Sequence, residues 1–366
     1  MLKDSLEEEK MYDIAIIGGG PAGATLARLI GNKYKVILLE KRTFQEPLYC
    51  GLQKCCGGLI DPDAQKMLAS FGLGLPKSVI LSPQMFSVRT IDNDNLIERY
   101  YQRHYVNIDR EEFDKWLESL VPPTVDIVRG SIYRSHVVHK EFVKIRFSKG
   151  IEDYEIKARM IIGADGAFSK VRRTSFPNQN VPKKYVAVQE WFETSQNVNY
   201  YGAIFDREIT DFYSWIIPKE NFLIVGSALL PNKDVHKKFE LLKLKLKDYG
   251  FELNKSIRKN GAYILRPQAV NQIQIGSGRI GLIGEAAGFI SPSSAEGLSY
   301  AFKSALALSN ALSEGIESWQ DLYKKNTAKL RRNIILKNLK SPFMYNTILR
   351  KFVMKSGLKS IVLNDQ

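Results

Sequence analysis

Along the first forty positions, apolar residues come in short runs punctuated by glycine. Tyr12 to Ile17 is apolar and β-branched, and Gly18-Gly19-Gly20-Pro21-Ala22-Gly23 interrupts it. Ala24 to Ile30 then has helical spacing, and Lys35 to Leu39 is a second apolar run. Runs of this length bounded by turn residues predict strand, turn, helix and strand in that order. Beyond them the pattern predicts a Gly-rich loop over Cys50 to Gly58 and a helix around Asp109 to Leu120. It also predicts strands near Val125, Val138 and Tyr154, continuing into Met160 to Gly163.

From Lys183 to Pro267 the texture changes to alternating segments (YVAVQEWFE, YYGAIF, DFYSWIIP, FLIVGSALL) with one helical insert near His236 to Tyr249. Ten aromatics fall between Tyr185 and Phe222, so a largely antiparallel sheet with a bulky apolar face is expected. Arg279 to Gly284 returns to a buried, parallel-type strand, followed by a loop and a helix over Gly297 to Leu312. The fold class read from this order is α/β: a Rossmann-like unit carrying an inserted, largely antiparallel β-sheet unit and a helical C-terminus. The expected boundaries are 1–75, 100–175 and 270–320 for the first unit, 76–99 and 176–269 for the second, and 321–366 for a basic helical segment.

The 366 residues suffice for two connected units, and 44% hydrophobic against 25% charged residues excludes disordered and fibrous classes. Fifty-three Lys and Arg against 39 Asp and Glu give +14. Eleven of those bases lie between Leu322 and Leu363, where no acid occurs, leaving only +3 for the rest of the chain. Three clustered cysteines, Cys50, Cys55 and Cys56, point to a reducing compartment rather than a disulfide framework. The acidic start MLKDSLEEEK lacks a signal-peptide core, and no run of about 18 apolar residues occurs. The expected location is cytoplasmic, with peripheral attachment to the cytoplasmic membrane face left open.

Gly18-x-Gly20-x-x-Gly23 sits between a strand and a helix, where such a pattern carries meaning. The first glycine permits a tight turn, the second lets backbone approach a pyrophosphate, and the third allows close helix-strand packing, with the helix N-terminus facing the phosphate charge. Pro21 and Ala22 complete that turn. Glu40, with Lys41 after it, ends the second strand 22 residues after Gly18, where an acid can hydrogen-bond a ribose. A second match, Gly276-x-Gly278-x-x-Gly281, precedes a strand instead of following one and reads as a turn. One dinucleotide fold is therefore encoded. Ile161 to Arg172, with Asp165 and Gly166, runs from an apolar strand through Asp-Gly into a helix start. Ile280 to Gly288 repeats that logic with Gly284, Glu285 and Gly288, and Pro292 to Gly297 leads into the helix beginning at Leu298.

In this order the segments resemble the FAD-binding fold shared with p-hydroxybenzoate hydroxylase. Within that superfamily the chain resembles the geranylgeranyl reductase family, flavoproteins that saturate isoprenoid double bonds. The similarity rests on Lys54-Cys55-Cys56-Gly57-Gly58, on Asp109-Arg110-x-x-Phe113-Asp114, on Tyr213-x-Trp215-x-x-Pro218, and on Gly284-Glu285-Ala286-Ala287-Gly288-Phe289-x-x-Pro292. The resemblance implies bound FAD, with Gly18, Gly20, Gly23 and Glu40 on its ADP half, Arg110 and Asp165 near it, and Glu285 on the ribityl chain. Cys56, Gly57 and Gly58 would approach the isoalloxazine, and the amides at Gly297 and Leu298 would face the ring edge. Tyr213 and Trp215 would line a cavity suited to a long apolar substrate. The electron donor implied is NAD(P)H or a ferredoxin-like protein. Three positions depart from the family: Cys55 replaces a proline, Glu285 an aspartate, and Ala295 a glycine.

For Cys56, three roles stand open: a redox thiol, a structural cysteine, or packing beside the ring. Adjacent Cys55 and Cys56 do not form a relaxed disulfide. His136-x-x-His139 has no third ligand at metal spacing, so no metal site is expected. Tyr213 to Pro218 is also similar to the Trp-x-Trp-x-Ile-Pro of flavin-dependent halogenases, without the first Trp. The basic tail reads as helices packed on the body, as an amphipathic segment on anionic lipid, or as a nucleic-acid contact, the last disfavoured because no recognition module accompanies it. The expected function is reduction of carbon-carbon double bonds in an isoprenoid or other apolar, lipid-like substrate by hydride transfer from reduced flavin. The alternatives are a flavin-dependent monooxygenase and a non-catalytic flavin-binding lipid carrier. The sequence does not indicate an oligomeric state.

Overall fold

The computed structural model describes residues 11–44, 55–231 and 234–363. Cys50, Lys54 and the acidic start lie outside them. The chain forms two compact units, the first drawn from Met1–Leu52, Glu111–Pro182 and Pro267–Ile335, the second from Gln53–Arg110, Lys183–Arg266 and Leu336–Gln366.

The first unit is built on an eight-stranded sheet. Its main path runs from the hairpin Gly276–Ser277 and Ile280–Leu282, through Glu152–Gly163, Met11–Ile17 and Val36–Glu40, to Asp126–Arg129. From Ile280–Leu282 to Asp126–Arg129 every pairing is parallel. Such strands are covered on both faces, which is why Val36–Glu40 is buried at every position. Helices Pro21–Ile30 and Leu298–Leu312 pack against each other, burying small residues such as Ala24, Ala27, Ala301 and Ala305. The chain steps outward from Met11–Ile17 to Val36–Glu40 on one side and later returns to Glu152–Gly163 on the other. Strand order thus reverses beside Met11–Ile17, and the carboxyl ends of these strands flank a topological switch point.

The second unit is a nine-stranded sheet, antiparallel except where Tyr201–Phe205 runs parallel to Met85–Asp92. Helix Val235–Asp248 covers one face, where Phe192, Ile204, Ile216 and Val225 meet Phe239, Leu242 and Leu246. Side chains alternate across a strand. Ala203 and Phe205 therefore point to the opposite face and join Val88, Tyr105, Tyr201, Tyr213 and Tyr345.

This unit is larger than the sequence suggests. Residues 55–75 and 100–110, expected in the first unit, group here because Leu59–Ile60 pairs with Ile97–Asn107, which pairs in turn with Met85–Asp92. The C-terminal residues from Leu336 join it as well, Ser360 and Ile361 pairing with Tyr101 and Tyr100. Strand pairing across more than 250 residues leaves no local signature. No helix among the described residues is long and apolar enough to cross a membrane.

Candidate functional site

At the switch point of the first unit, the glycine turn divides into positions the protein needs and one it leaves open. A Cβ on Gly18, whose φ is +104°, would lie 2.6 Å from Ala164 O, and one on Gly23 would lie 1.9 Å from Gly18 O. Close backbone packing accounts for both. Nothing lies within 4 Å of the corresponding position on Gly20. Gly20 is also the N-cap of helix Pro21–Ile30 and supplies no capping side chain, so the first-turn amides face an uncovered space. Open backbone at a helix N-terminus is the shape that receives a pyrophosphate.

Glu40 is buried beside this turn. Its carboxylate accepts hydrogen bonds from Gly19 N at 2.6 Å and from Arg42 N and Nε, both at 2.9 Å. Roughly four lone-pair sites are available on a carboxylate, so these three contacts leave one open. Arg42 reaches on to Asp114 at 2.7 Å. Burial opposes the charge on Arg42, but Asp114 and Glu40 together raise its pKa above the ordinary arginine value. Lys41 is exposed. Arg42 carries the anchoring role that the sequence did not reveal, its one signal being the quoted Asp114.

Asp165 acts as a loop anchor. It accepts from Ser169 Oγ at 2.5 Å, Lys170 N at 2.7 Å and Val171 N at 3.2 Å, capping the short helix Lys170–Ser175. Burial raises its pKa, and these hydrogen bonds oppose the rise. Gly166 continues the turn. Arg172 from that helix donates to Gln272 O at 2.7 Å and Ala286 O at 3.4 Å, tying down the turn Gly284–Ala287 that carries Glu285. Burial lowers the Arg172 pKa to about 10. Gly288 closes that turn and packs against the guanidinium.

After the buried Pro292, Ala295 adopts φ +50°, the left-handed conformation that favours glycine. Gly297 caps helix Leu298–Leu312, and Leu298 is buried. Beside the Gly297 and Leu298 amides, the Glu296 carboxylate accepts from Ser299 N at 2.7 Å and Ser299 Oγ at 2.9 Å. This helix end therefore presents a carboxylate together with its amides.

In the second unit, the loop before Leu59 lies on the face opposite helix Val235–Asp248. Arg110 Nη1 donates to Cys56 Sγ at 3.2 Å, and Cys55 Sγ lies 3.7 Å from Ala187 O. Neither thiol is in a disulfide among the described residues. A Cβ on Gly57 would lie 2.4 Å from Ile217 Cδ1, so the loop rests directly on strand Ser214–Lys219. Lys219, on the same face as Trp215 and Ile217, is 2% exposed. Its Nζ donates to Gly58 O at 2.9 Å and Ile108 O at 2.7 Å. Burial lowers its pKa to about 7, against a smaller opposing pull from Cys56 and Asp109. The sequence reading missed this lysine, although it directly follows Pro218 of the quoted motif.

Trp215 lies flat over Gly226, where a Cβ would come within 2.3 Å of the ring. Its Nε1 donates to Gln189 Oε1 at 3.2 Å, while the buried Gln189 Nε2 has no partner among the described residues. Tyr213 packs 5.6 Å from Trp215 and 5.0 Å from Phe212. Burial pushes the Tyr213 and Tyr201 hydroxyls above the usual phenol range. This face thus combines aromatic area with hydroxyls, an amide donor, a thiol and a buried amine.

The remaining motifs are accounted for structurally. His136 bonds Tyr133 through Nδ1 and Ser175 Oγ through Nε2 at 3.2 Å, and His139 stacks on Phe142. Gly276–Ser277 and Ile280–Leu282 form the expected hairpin turn. No cluster that would hold a metal ion occurs among the described residues.

The fold matches solved structures along nearly its whole length. A geranylgeranyl bacteriochlorophyll reductase-like protein from Thermoplasma acidophilum superposes with a TM-score of 0.79 at 20% identity, covering 97% of this chain and 93% of that one. PqsL of Pseudomonas aeruginosa, described as a probable FAD-dependent monooxygenase, gives 0.68 at 15% identity over 95% and 100% of the two chains. The flavin-dependent halogenase CmlS gives 0.68 at 16% identity over 90% of this chain and 63% of its own. The chain shares the fold of these proteins. No family model matches the chain. Protein CbrA of Escherichia coli O6:H1 is 41% identical over 350 residues, 96% of this chain and 94% of the relative, and Protein CbrA of Shigella sonnei is 41% identical over 350 residues, 96% and 98%. The chain belongs to the CbrA family.

Proposed function

We propose that the protein is an FAD-dependent oxidoreductase that reduces carbon-carbon double bonds in an isoprenoid or other apolar, lipid-like substrate. The observation that carries the cofactor assignment is the uncovered cradle at Gly20, bordered by Glu40, at the carboxyl edge of a parallel sheet. When bound, FAD supplies a hydride to the substrate, and NAD(P)H or a ferredoxin-like donor restores it.

The chain's own residues bind and orient. Gly20 and the first-turn amides would receive the pyrophosphate, Glu40 the adenosine ribose, and Glu285 the ribityl chain, while Asp165 and Arg172 hold the surrounding loops in place. Trp215 and Tyr213 offer apolar area to a long substrate. Gln189 Nε2 would meet a polar group it carries. Cys56 is positioned by Arg110 and by the Lys219 anchor on Gly58.

Purified protein should be yellow and should take up FAD stoichiometrically after refolding. Absence of flavin absorbance under both conditions would overturn the assignment. The second reading, a monooxygenase, draws on the similarity of fold to PqsL. Mixing the reduced protein with oxygen separates the two: a long-lived oxygenated-flavin absorbance supports the monooxygenase, and its absence together with double-bond reduction supports the reductase.

A further inference from the structure

The residues from Leu336 to Leu363 are latched inward and apolar outward. Helix Thr347–Lys355 is held by Arg350, whose guanidinium meets Asp92 at 2.8 Å and Asp94 at 2.7 Å, and by the buried Met354 one turn later. On its other side Ile348 is 65% and Phe352 69% exposed. Lys351 and Lys355 share that side, because positions i, i+3, i+4 and i+7 fall on one helical stripe. Before it, Leu339 is 67% and Phe343 51% exposed, and after it Leu358 is 67% and Val362 91% exposed.

Large exposed apolar side chains gathered in one segment mark a contact surface rather than ordinary exterior. The charge around them selects the partner. Lys337, Lys340, Lys351, Lys355 and Lys359 lie in this stretch, no acid occurs between Leu336 and Leu363, and Arg350 is already neutralised by Asp92 and Asp94. We propose that this face docks on the surface of a bilayer containing anionic lipid, with Leu339, Phe343, Ile348 and Phe352 entering the headgroup boundary and the lysines meeting lipid phosphates and carboxylates. A second copy of the chain is a poorer occupant, since a two-fold contact would set the same lysines against each other. Nucleic acid would leave the apolar residues in water. The docking does not depend on the flavin assignment.

Sedimentation of the full chain with vesicles tests this, comparing phosphatidylcholine alone with phosphatidylcholine containing about 30% phosphatidylserine at low and high salt. Binding is expected to the anionic vesicles at low salt only. The double variant Ile348→Ser/Phe352→Ser and the triple variant Lys351→Glu/Lys355→Glu/Lys359→Glu should each lower partitioning at least about tenfold while melting like the parent. No binding to anionic vesicles, or binding unchanged in both variants, overturns the proposal. So does a dimer in sedimentation equilibrium that Ile348→Ser/Phe352→Ser converts to monomer without any effect on vesicles, which would make the face a self-association surface.

Discussion

Lys219 Nζ bridges the carbonyls of Gly58 and Ile108, at 2.9 and 2.7 Å, joining two segments that flank Cys56 and Arg110. Its burial places the folded pKa near 7, against 10.5 for a free lysine. Between those values the unfolded chain holds a proton that the folded chain lacks, so stability attributable to this group rises with pH through that window. Below about pH 7 the full cost is present and constant. In urea denaturation between pH 7 and 9, the wild type should gain on Lys219→Met by about 1 kcal/mol per pH unit. Parallel pH profiles for the two proteins would contradict a desolvated amine.

The glycine turn separates binding from folding. Gly20→Ala fills open space and should cost less than about 1 kcal/mol of apoprotein stability, yet weaken FAD uptake at least about tenfold by occupying the cradle. Gly23→Ala would drive a Cβ into Gly18 O and should destabilise the apoprotein by about 2 kcal/mol or more. Flavin titration and thermal melting of both variants check this, and equal effects of the two on melting would refute the distinction.

Ala295 holds a left-handed conformation at φ +50°. Glycine relieves the Cβ penalty but adds freedom to the unfolded chain, so Ala295→Gly should stabilise by about 0.5 to 1 kcal/mol. A lower melting temperature would show that the loop bears no such strain.

Arg350→Met would strand Asp92, which is fully buried, without its cation. Loss of one partner of a buried pair costs about 3 to 5 kcal/mol. The C-terminal helices should then exchange amide hydrogens faster, and the added variant Asp92→Asn should recover part of the loss. Unchanged exchange across residues 336–363 would mean that Arg350 does not hold the segment.

What the sequence made visible was local. The turn at Gly18, the acid at the end of the next strand and the hairpin at Gly276 each follow from a few adjacent residues. The helix over Val235–Asp248 was equally plain from its spacing. Arg42, Gln189 and Lys219 were not visible, because what matters about them is a partner supplied from 26 to 161 positions away. Glu296 escaped for a different reason: it reads as an ordinary polar loop residue until the helix that follows is seen to lack another cap. The unit boundaries shifted because the strand Ile97–Asn107 and the tail near Ser360 find their partners only in the folded sheet.

The arrangement around Glu40 also selects among dinucleotides. An adenosine bearing a 2′-phosphate would bring a second anion against a carboxylate already buried. The nearby cation that would neutralise such a phosphate, Arg42, is committed to Glu40 and Asp114. On the function proposed above, a cradle so lined would favour an unphosphorylated adenosine over one bearing a 2′-phosphate. A phosphorylated nicotinamide donor would then be a poor competitor for the seat proposed for FAD, and reduction by such a donor would call for a separate, transient approach.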